Sequence, residues 1–335
     1  MLKNDIIFNI KGYAQVVQYG ANMVICVGES LMDVVYKNGA VTETVGGCPL
    51  NVAITIARLD ASVALFTKVS RDSYGNQILE KLINDCVMFE PQLCNSNLPT
   101  LCSKAYIDEQ GNARYVFDWK QTVASNITAE EISKAFSVMT DIDFVMTGSL
   151  ILTFPLTRDA IFPAIDTVNP KPVVFYDPNV RPAVIENMDD FKEKLLHFAQ
   201  KSDIVKVSED DLKLVFPEIS QEEAIKTLQK VCKLHLILTS GEKGATWYAP
   251  SFKVSVPAYS EKDLVDTIGC GDVFSGAILA MLQKRKNAGK ASVKDITEEE
   301  AKNMLSFATK LASNNCKRKG CDPLVDLAVD LPIAP

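Results

Sequence analysis

The stretch whose reading decides the fold is "DLVDTIGCGDVFSGAILAML", residues 263–282. Gly269 and Gly271 stand one residue apart, Asp272 follows at once, and an apolar run with helical spacing comes next. Glycines let a ligand approach the backbone closely. Successive N–H groups at a helix N-terminus converge on one point, which suits an anion. A carboxylate in that first turn can take a proton from a hydroxyl poised beside a phosphoryl group. Alone, the stretch reads equally well as a tight turn with an ordinary capping acid. The phosphate loop G-x-x-x-x-G-K-[ST] occurs nowhere, and the next glycine, Gly276, is too distant for a dinucleotide fingerprint.

Upstream lie strand-like runs at "MVICVG" (23–28), "VALFTKV" (63–69), "DFVMTG" (143–148), "PVVFYD" (172–177), "DIVKVS" (203–208) and "LHLILTS" (234–240). Most are continuously apolar, as parallel strands buried on both faces are. Helical patterns such as "PLNVAITIARL", "GNQILEKLIND" and "QEEAIKTLQKV" separate them. The alternation predicts a doubly wound, mostly parallel α/β sheet with helices on both faces. Two segments break the rhythm. Residues 32–46 carry an Asn38-Gly39 hairpin signal between β-prone arms, and residues 99–121 a second hairpin around Glu109-Gln110-Gly111-Asn112. Both are expected to form a small β-sheet lid.

The bulk properties bound the function. At 335 residues, 47% hydrophobic and 23% charged, the chain has the composition of a globular protein with a sizeable core. A net charge of −7 with no basic block argues against nucleic acid or an anionic membrane as the main partner. Nine scattered cysteines without C-x-x-C, and two histidines, argue against zinc and for reduced thiols in a cytoplasmic compartment. Residues 1–22 lack a sustained apolar segment and are expected to be an N-terminal extension, with 23–330 forming one domain.

Further candidate residues sit where strands end. "TVGGCPLNVAITIARL" (44–59) opens a helix with Asn51 on its first turn, able to donate to and accept from hydroxyls; alone, it is a glycine turn before a helix. Asp33 follows a buried strand and can hold two sugar hydroxyls, or be a solvated loop acid. In "VSRDSYGNQIL", Asp72 and Gly75 fit a plain helix entry. "YDPNVRP" places Asp177, Asn179 and Arg181 on one loop at a strand's C-terminal end, where ligands sit in such sheets.

Gly-Gly-x-x-x-Asn near the start and Asp-Thr-x-Gly-x-Gly-Asp near the end closely resemble the two signatures of the PfkB (ribokinase-like) carbohydrate kinases. The resemblance spans roughly residues 23–325 and includes, in family order, "VGESLMD", "VSRDSYG", "DPNVRP", "KVSEDDL", "LTSGEKGA" and "KRKGC". It implies a ribokinase-like fold, with Asp272 as base and the amides of Gly269, Cys270 and Gly271 as the anion hole. It further implies sugar contacts from Asp33, Gly46, Gly47, Asn51, Asn179, Arg181 and Trp119. Nucleotide contacts fall to Lys206, Thr239, Gly241, Gly244, Asn315 and Gly320. Asp211 matches a position reaching Mg2+ through water, and Asp266 and Thr267 a loop that touches a monovalent cation such as K+. ATP is the implied co-substrate, and a lid-mediated homodimer the implied assembly.

"DPNVRP" followed by "KVSEDDL" looks most like fructokinases and 2-keto-3-deoxygluconate kinases. Acid-sugar kinases tend to carry Tyr then Arg in the second hairpin, where spacing places Asp118 and Trp119 here. Without that arginine a substrate carboxylate loses its bidentate clamp, unless Lys120 substitutes. The reading therefore favours a ketohexose, fructose first, with 2-keto-3-deoxygluconate kinase or a ribokinase-type kinase as alternatives. A non-catalytic sugar- or nucleotide-binding regulator is the rival of another class. Cys270 stands where alanine is usual, which suggests sensitivity to oxidation.

Overall fold

A computed structural model describes residues 5–10, 13–18, 22–108, 113–139, 141–259, 264–290 and 292–323. The turn 109–112 expected in the second hairpin lies outside the described residues. Fifteen strands are found among those described: β1 (Asp5–Ile10), β2 (Tyr13–Gln18), β3 (Met23–Val27), β4 (Leu31–Lys37), β5 (Ala40–Gly46), β6 (Val63–Phe66), β7 (Met88–Phe89), β8 (Leu101–Ile107), β9 (Ala113–Phe117), β10 (Ile142–Gly148), β11 (Val173–Asp177), β12 (Ile204–Ser208), β13 (His235–Thr239), β14 (Ala245–Tyr248) and β15 (Lys253–Val256). The helices are α1 (Cys48–Arg58), α2 (Ser73–Asn84), α3 (Ala129–Ser137), α4 (Pro155–Ile165), α5 (Met188–Lys201), α6 (Glu209–Val215), α7 (Gln221–Val231), α8 (Cys270–Asn287) and α9 (Glu298–Asn315).

Nine strands form the main sheet in the order β15-β14-β13-β12-β11-β10-β3-β6-β7. From β13 to β7 every pairing is parallel, and β14 pairs antiparallel with both β13 and β15. All five β3 residues are buried, because successive side chains serve two cores. Val24 and Cys26 pack with Leu50, Ile278 and Leu305 of α1, α8 and α9. Ile25 and Val27 pack with Ile132, Ile161, Leu195 and Leu228 of α3, α4, α5 and α7. Helix α8 lies against both α1 and α9, which brings the loops at their ends together.

The two irregular segments join as one four-stranded sheet, β5-β4-β8-β9. β4 and β5 pair antiparallel around Asn38 (φ 50°) and Gly39 (φ 77°). Two positive φ values define a type I′ turn, whose twist matches the flanking strands. β8 joins β4 in parallel and pairs antiparallel with β9. β1 and β2 pair antiparallel in the leader. Among the described residues no helix is long and apolar enough to cross a membrane.

Candidate active site

The N-terminus of α8 organises the site. Gly269 is the helix N-cap in the left-handed region (φ 77°), and a Cβ there would lie 2.5 Å from Cys321 Cβ, so only glycine fits on both counts. Val273 N donates to Gly269 O at 2.8 Å and starts the helical ladder. The N–H groups of the first turn precede any intrahelical acceptor and are free to meet an anion. Cys270 N is an exception, donating to Thr267 O at 3.3 Å.

Asp272 is 7% exposed and is gripped from two distant segments. Asn51 Nδ2, on the first turn of α1, donates to its Oδ2 at 2.7 Å, and Asn179 Nδ2 donates to its Oδ1 at 3.4 Å. Asn179 holds φ 40°, a left-handed conformation that asparagine tolerates, and this turns its amide back towards α8. Asp33 projects from β4. A Cβ on Gly46 would sit 2.5 Å from Asp33 Oδ2, so the glycine makes room for the carboxylate. Burial raises the Asp33 pKa; the Ser103 hydroxyl and Arg181 oppose the shift, and Asp272 adds to it. Arg181 is exposed, and its Nη1 donates to Asn179 O and Val180 O, each at 3.2 Å. The structure thus brings Asp33, Gly46, Gly47, Asn51, Asn179, Arg181 and Asp272 to the C-terminal ends of β3 and β11.

Beneath the α8 loop lies a buried network. Lys206 Nζ on β12 pairs with Asp177 Oδ2 at 3.1 Å, and Ser275 Oγ donates to the same oxygen at 2.9 Å. Although burial alone would lower it, the Asp177 and Asp211 carboxylates hold the Lys206 ammonium above its usual range. A Cβ on Gly271 would be 3.3 Å from Lys206 Nζ, which sets this cation directly under the 269–271 loop. Asp177 Oδ1 is buried without a hydrogen-bond partner. Asp177 was visible in "DPNVRP", but its pairing with Lys206 needed the parallel contact of β11 with β12.

Asp211 is engaged by the protein. Its Oδ1 accepts from Val180 N at 2.8 Å, and its Oδ2 closes a capping box with Ser208 N and Oγ at 2.8 and 2.6 Å. Asp266 is used likewise: Oδ1 accepts from Ile268 N at 3.0 Å and Oδ2 from Gly320 N at 2.9 Å. Thr267 is exposed. Asn315, fully buried, donates through Nδ2 to Ile268 O (3.2 Å) and Gly320 O (3.0 Å) and accepts from Asp322 N (2.9 Å). It therefore fastens the 264–270 loop to the 315–322 segment. Thr239 ends β13, and Gly241 and Gly244 form the turn into β14 with φ 51° and 99°. The Trp119 ring is half-buried and lies 5.1 Å from that of Phe154. Lys120 pairs with Glu186 at 3.1 Å, both exposed.

Asp72 is a structural anchor. It caps α2 through Gly75 N at 2.7 Å and accepts from Thr100 N and Oγ1 at 2.8 and 2.7 Å, just ahead of strand β8 of the small sheet. Sequence reasoning missed Glu29, fully buried where "VGES" leaves β3, with neither carboxyl oxygen in a hydrogen bond. Burial pushes its carboxyl up to about 7, while the Ser149 hydroxyl and Cys48 N–H lie near enough to oppose the shift without reaching hydrogen-bond geometry. A cavity of about 540 Å³ opens at the opposite, N-terminal ends of β11 to β13 and contains none of the singled-out residues. Ligands of open α/β sheets bind at strand C-terminal ends, so the Asp272 cluster is the candidate site.

An acid at a helix N-terminus, a cation under the loop and a separate small sheet fit the class of small-molecule phosphotransferases on a doubly wound sheet. Comparison with known proteins supplies the family. The model for "pfkB family carbohydrate kinase" matches residues 14–326, and the chain belongs to that family, whose members are phosphotransferases with an alcohol acceptor. It is 28% identical over 288 residues to a fructokinase of Rhizobium leguminosarum bv. trifolii, covering 84% of this chain and 86% of that protein. It is 27% identical over 318 residues to probable fructokinase-5 of Arabidopsis thaliana, covering 92% and 95%. Among solved structures, fructokinase with bound ATP from Xylella fastidiosa superposes with a TM-score of 0.78 at 19% identity, covering 93% of this chain and 98% of that one. Fructokinase from Vibrio cholerae O395, in its fructose-, ADP- and calcium-bound form, gives 0.73 at 22% identity, covering 90% and 94%. These structures share the fold: a large mostly parallel sheet with helices and a smaller separate sheet.

Proposed function

We propose that the protein is a fructokinase, transferring the γ-phosphoryl group of ATP to a primary hydroxyl of a ketohexose, fructose first. The observation that carries the reading is Asp272, oriented by Asn51 and Asn179 beside the first-turn amides of α8. Little covalent chemistry is asked of such a protein; alignment and charge stabilisation dominate. Asp33, Gly46, Gly47, Asn51, Asn179 and Arg181 orient the sugar, with Trp119 as a lid contact. Asp272 takes the hydroxyl proton. The amides of Gly269, Cys270 and Gly271 stabilise the migrating phosphoryl group once Cys270 N leaves Thr267 O. Lys206, under the same loop, offsets the charge developing there. Thr239, Gly241, Gly244, Asn315 and Gly320 form the nucleotide wall, the last two by shaping it.

No group of three or more metal-ligating side chains occurs among the described residues. The donor set therefore fits Mg2+ carried largely by nucleotide phosphates and water, with Asp211 reaching it only through water because its oxygens already accept protein donors. Bound there, Mg2+ supplies charge neutralisation on the phosphates. A monovalent cation at Asp266 and Thr267 would share carboxylate oxygens with two backbone amides.

Fructose is favoured over acid sugars because the second hairpin carries Asp118 and Trp119 where acid-sugar kinases tend to carry Tyr then Arg, which leaves a substrate carboxylate without a bidentate clamp. We further place the protein in the cytoplasm as a single kinase domain, residues 23–330, paired as a homodimer through the lid. The test is initial-rate phosphorylation of fructose, ribose, tagatose, 2-keto-3-deoxygluconate and nucleosides under one ATP-regenerating condition. Fructose should give the highest kcat/KM, and a preference for an acid sugar or nucleoside would replace this assignment.

A further inference from the structure

We propose that Cys270 and Cys316 form a dithiol modification site, which a small-molecule disulfide oxidises to a Cys270–Cys316 bond that disables the anion loop. The two residues are 46 positions apart in sequence, yet their sulfurs lie 2.9 Å apart. Both are free, half-buried thiols. Cys270 is the first residue of α8, inside the anion loop, and Cys316 is the C-cap of α9. The backbones that carry them are already stitched together. Val265 N and Asp266 N donate to Cys316 O at 2.8 and 3.1 Å, and Asn315 Nδ2 donates to Ile268 O at 3.2 Å. Closing to a disulfide length of about 2.05 Å asks for less than about 1 Å of travel.

The chemistry proceeds by two exchanges. Burial, with Cys316 beside it, pushes the Cys270 thiol up to about 12, which leaves little thiolate on Cys270 to start the exchange. Cys316, as thiolate, attacks the reagent disulfide RSSR, giving Cys316–S–S–R and releasing one RSH after protonation. The Cys270 sulfur then attacks the Cys316 sulfur of that mixed disulfide, forming the Cys270–Cys316 bond and releasing the second RSH. Two protein thiols lose two hydrogens and two electrons, and RSSR gains both.

The bond would hold the loop in the turn where Cys270 N is committed to Thr267 O. A sub-ångström displacement at a phosphoryl-positioning amide is enough to cost turnover heavily. The effect on turnover rests on the kinase reading; the existence of the bond does not.

The experiment incubates the reduced full chain with oxidised glutathione at pH 8, then follows non-reducing peptide mapping and fructose phosphorylation in parallel. Expected are one cross-linked peptide joining Cys270 to Cys316, lighter by two hydrogens, and a kcat reduced at least about tenfold and restored by dithiothreitol. Cys316→Ser should abolish the cross-link and the inactivation together and keep the reduced rate; Cys316→Ala repeats the test with a second side chain. The exposed control Cys86→Ser should change neither. Mapping that finds no bond, or finds Cys270 joined to Cys321 beside Gly269, overturns the site. A fully cross-linked enzyme with unchanged kcat overturns its effect on the loop. If reduced protein phosphorylates no sugar, the kinase reading fails while the mapping still decides the dithiol.

Discussion

At the residue scale, the site's logic is a set of short side chains held by longer-range partners. As the proposed base, Asp272 needs a lone pair facing the substrate, and Asn51 and Asn179 hold its two carboxylate oxygens in place. Asp272→Asn should bind both substrates with little change in KM while kcat falls at least ~100-fold, the low end for losing a general base. Steady-state kinetics check this, and near-normal turnover would remove Asp272 from the mechanism. Gly46→Ala drives a methyl group into Asp33 and should raise the sugar KM with a smaller effect on the ATP KM. Glu29 offers a pH test. Its folded-state pKa, about 7, is above the ordinary glutamate range, so the native state holds a proton that the unfolded chain has released. Its contribution to stability is full below the unfolded pKa and is lost as pH rises towards 7. Glu29→Gln, which stays neutral, should flatten the fall in stability between pH 5 and 8 measured by urea denaturation.

At the scale of elements, the anchoring of the small sheet, the proposed lid, is the testable feature. Asp72 caps α2 and in the same carboxylate holds Thr100 at the root of β8, so one side chain couples a core helix to the small sheet. Asp72→Ala should cost about 1–2 kcal/mol by urea denaturation, the range for a lost N-cap, and should also raise the sugar KM by loosening the lid. A variant with the stability loss and unaltered sugar KM would confine Asp72 to capping. Sequence reasoning offered only the helix entry here, because nothing local marks Thr100 as a neighbour.

At the scale of the whole molecule, the small sheet ends in the edge strands β5 and β9. Val41 on β5 is 53% exposed. Free edges and exposed β-branched residues invite pairing with another chain. The proposed homodimer predicts a light-scattering mass twice that of the chain, and Val41→Lys should shift it towards the monomer. A monomer at all concentrations would remove the dimer from the proposal.

Much of this protein is legible without coordinates. The six parallel-strand segments and the helices between them announce themselves, because hydrophobic period is a local property of the chain. The Asn38-Gly39 hairpin is equally local, since the turn needs two positive φ values and those two residues supply them. The antiparallel edge β14–β15 and the helix α9 were not read: short amphipathic edge strands carry a weak signal, whereas α9 opens on a Thr297–Glu300 capping box that the sequence does show. What only the tertiary structure decided is which distant residues share a point. Asn51 meets Asp272 across 221 positions, Lys206 meets Asp177 through strand register, and Cys316 meets Cys270 because α9 packs on α8. Such contacts are set by crossovers, register and helix packing acting over the whole chain, and no window of sequence contains them.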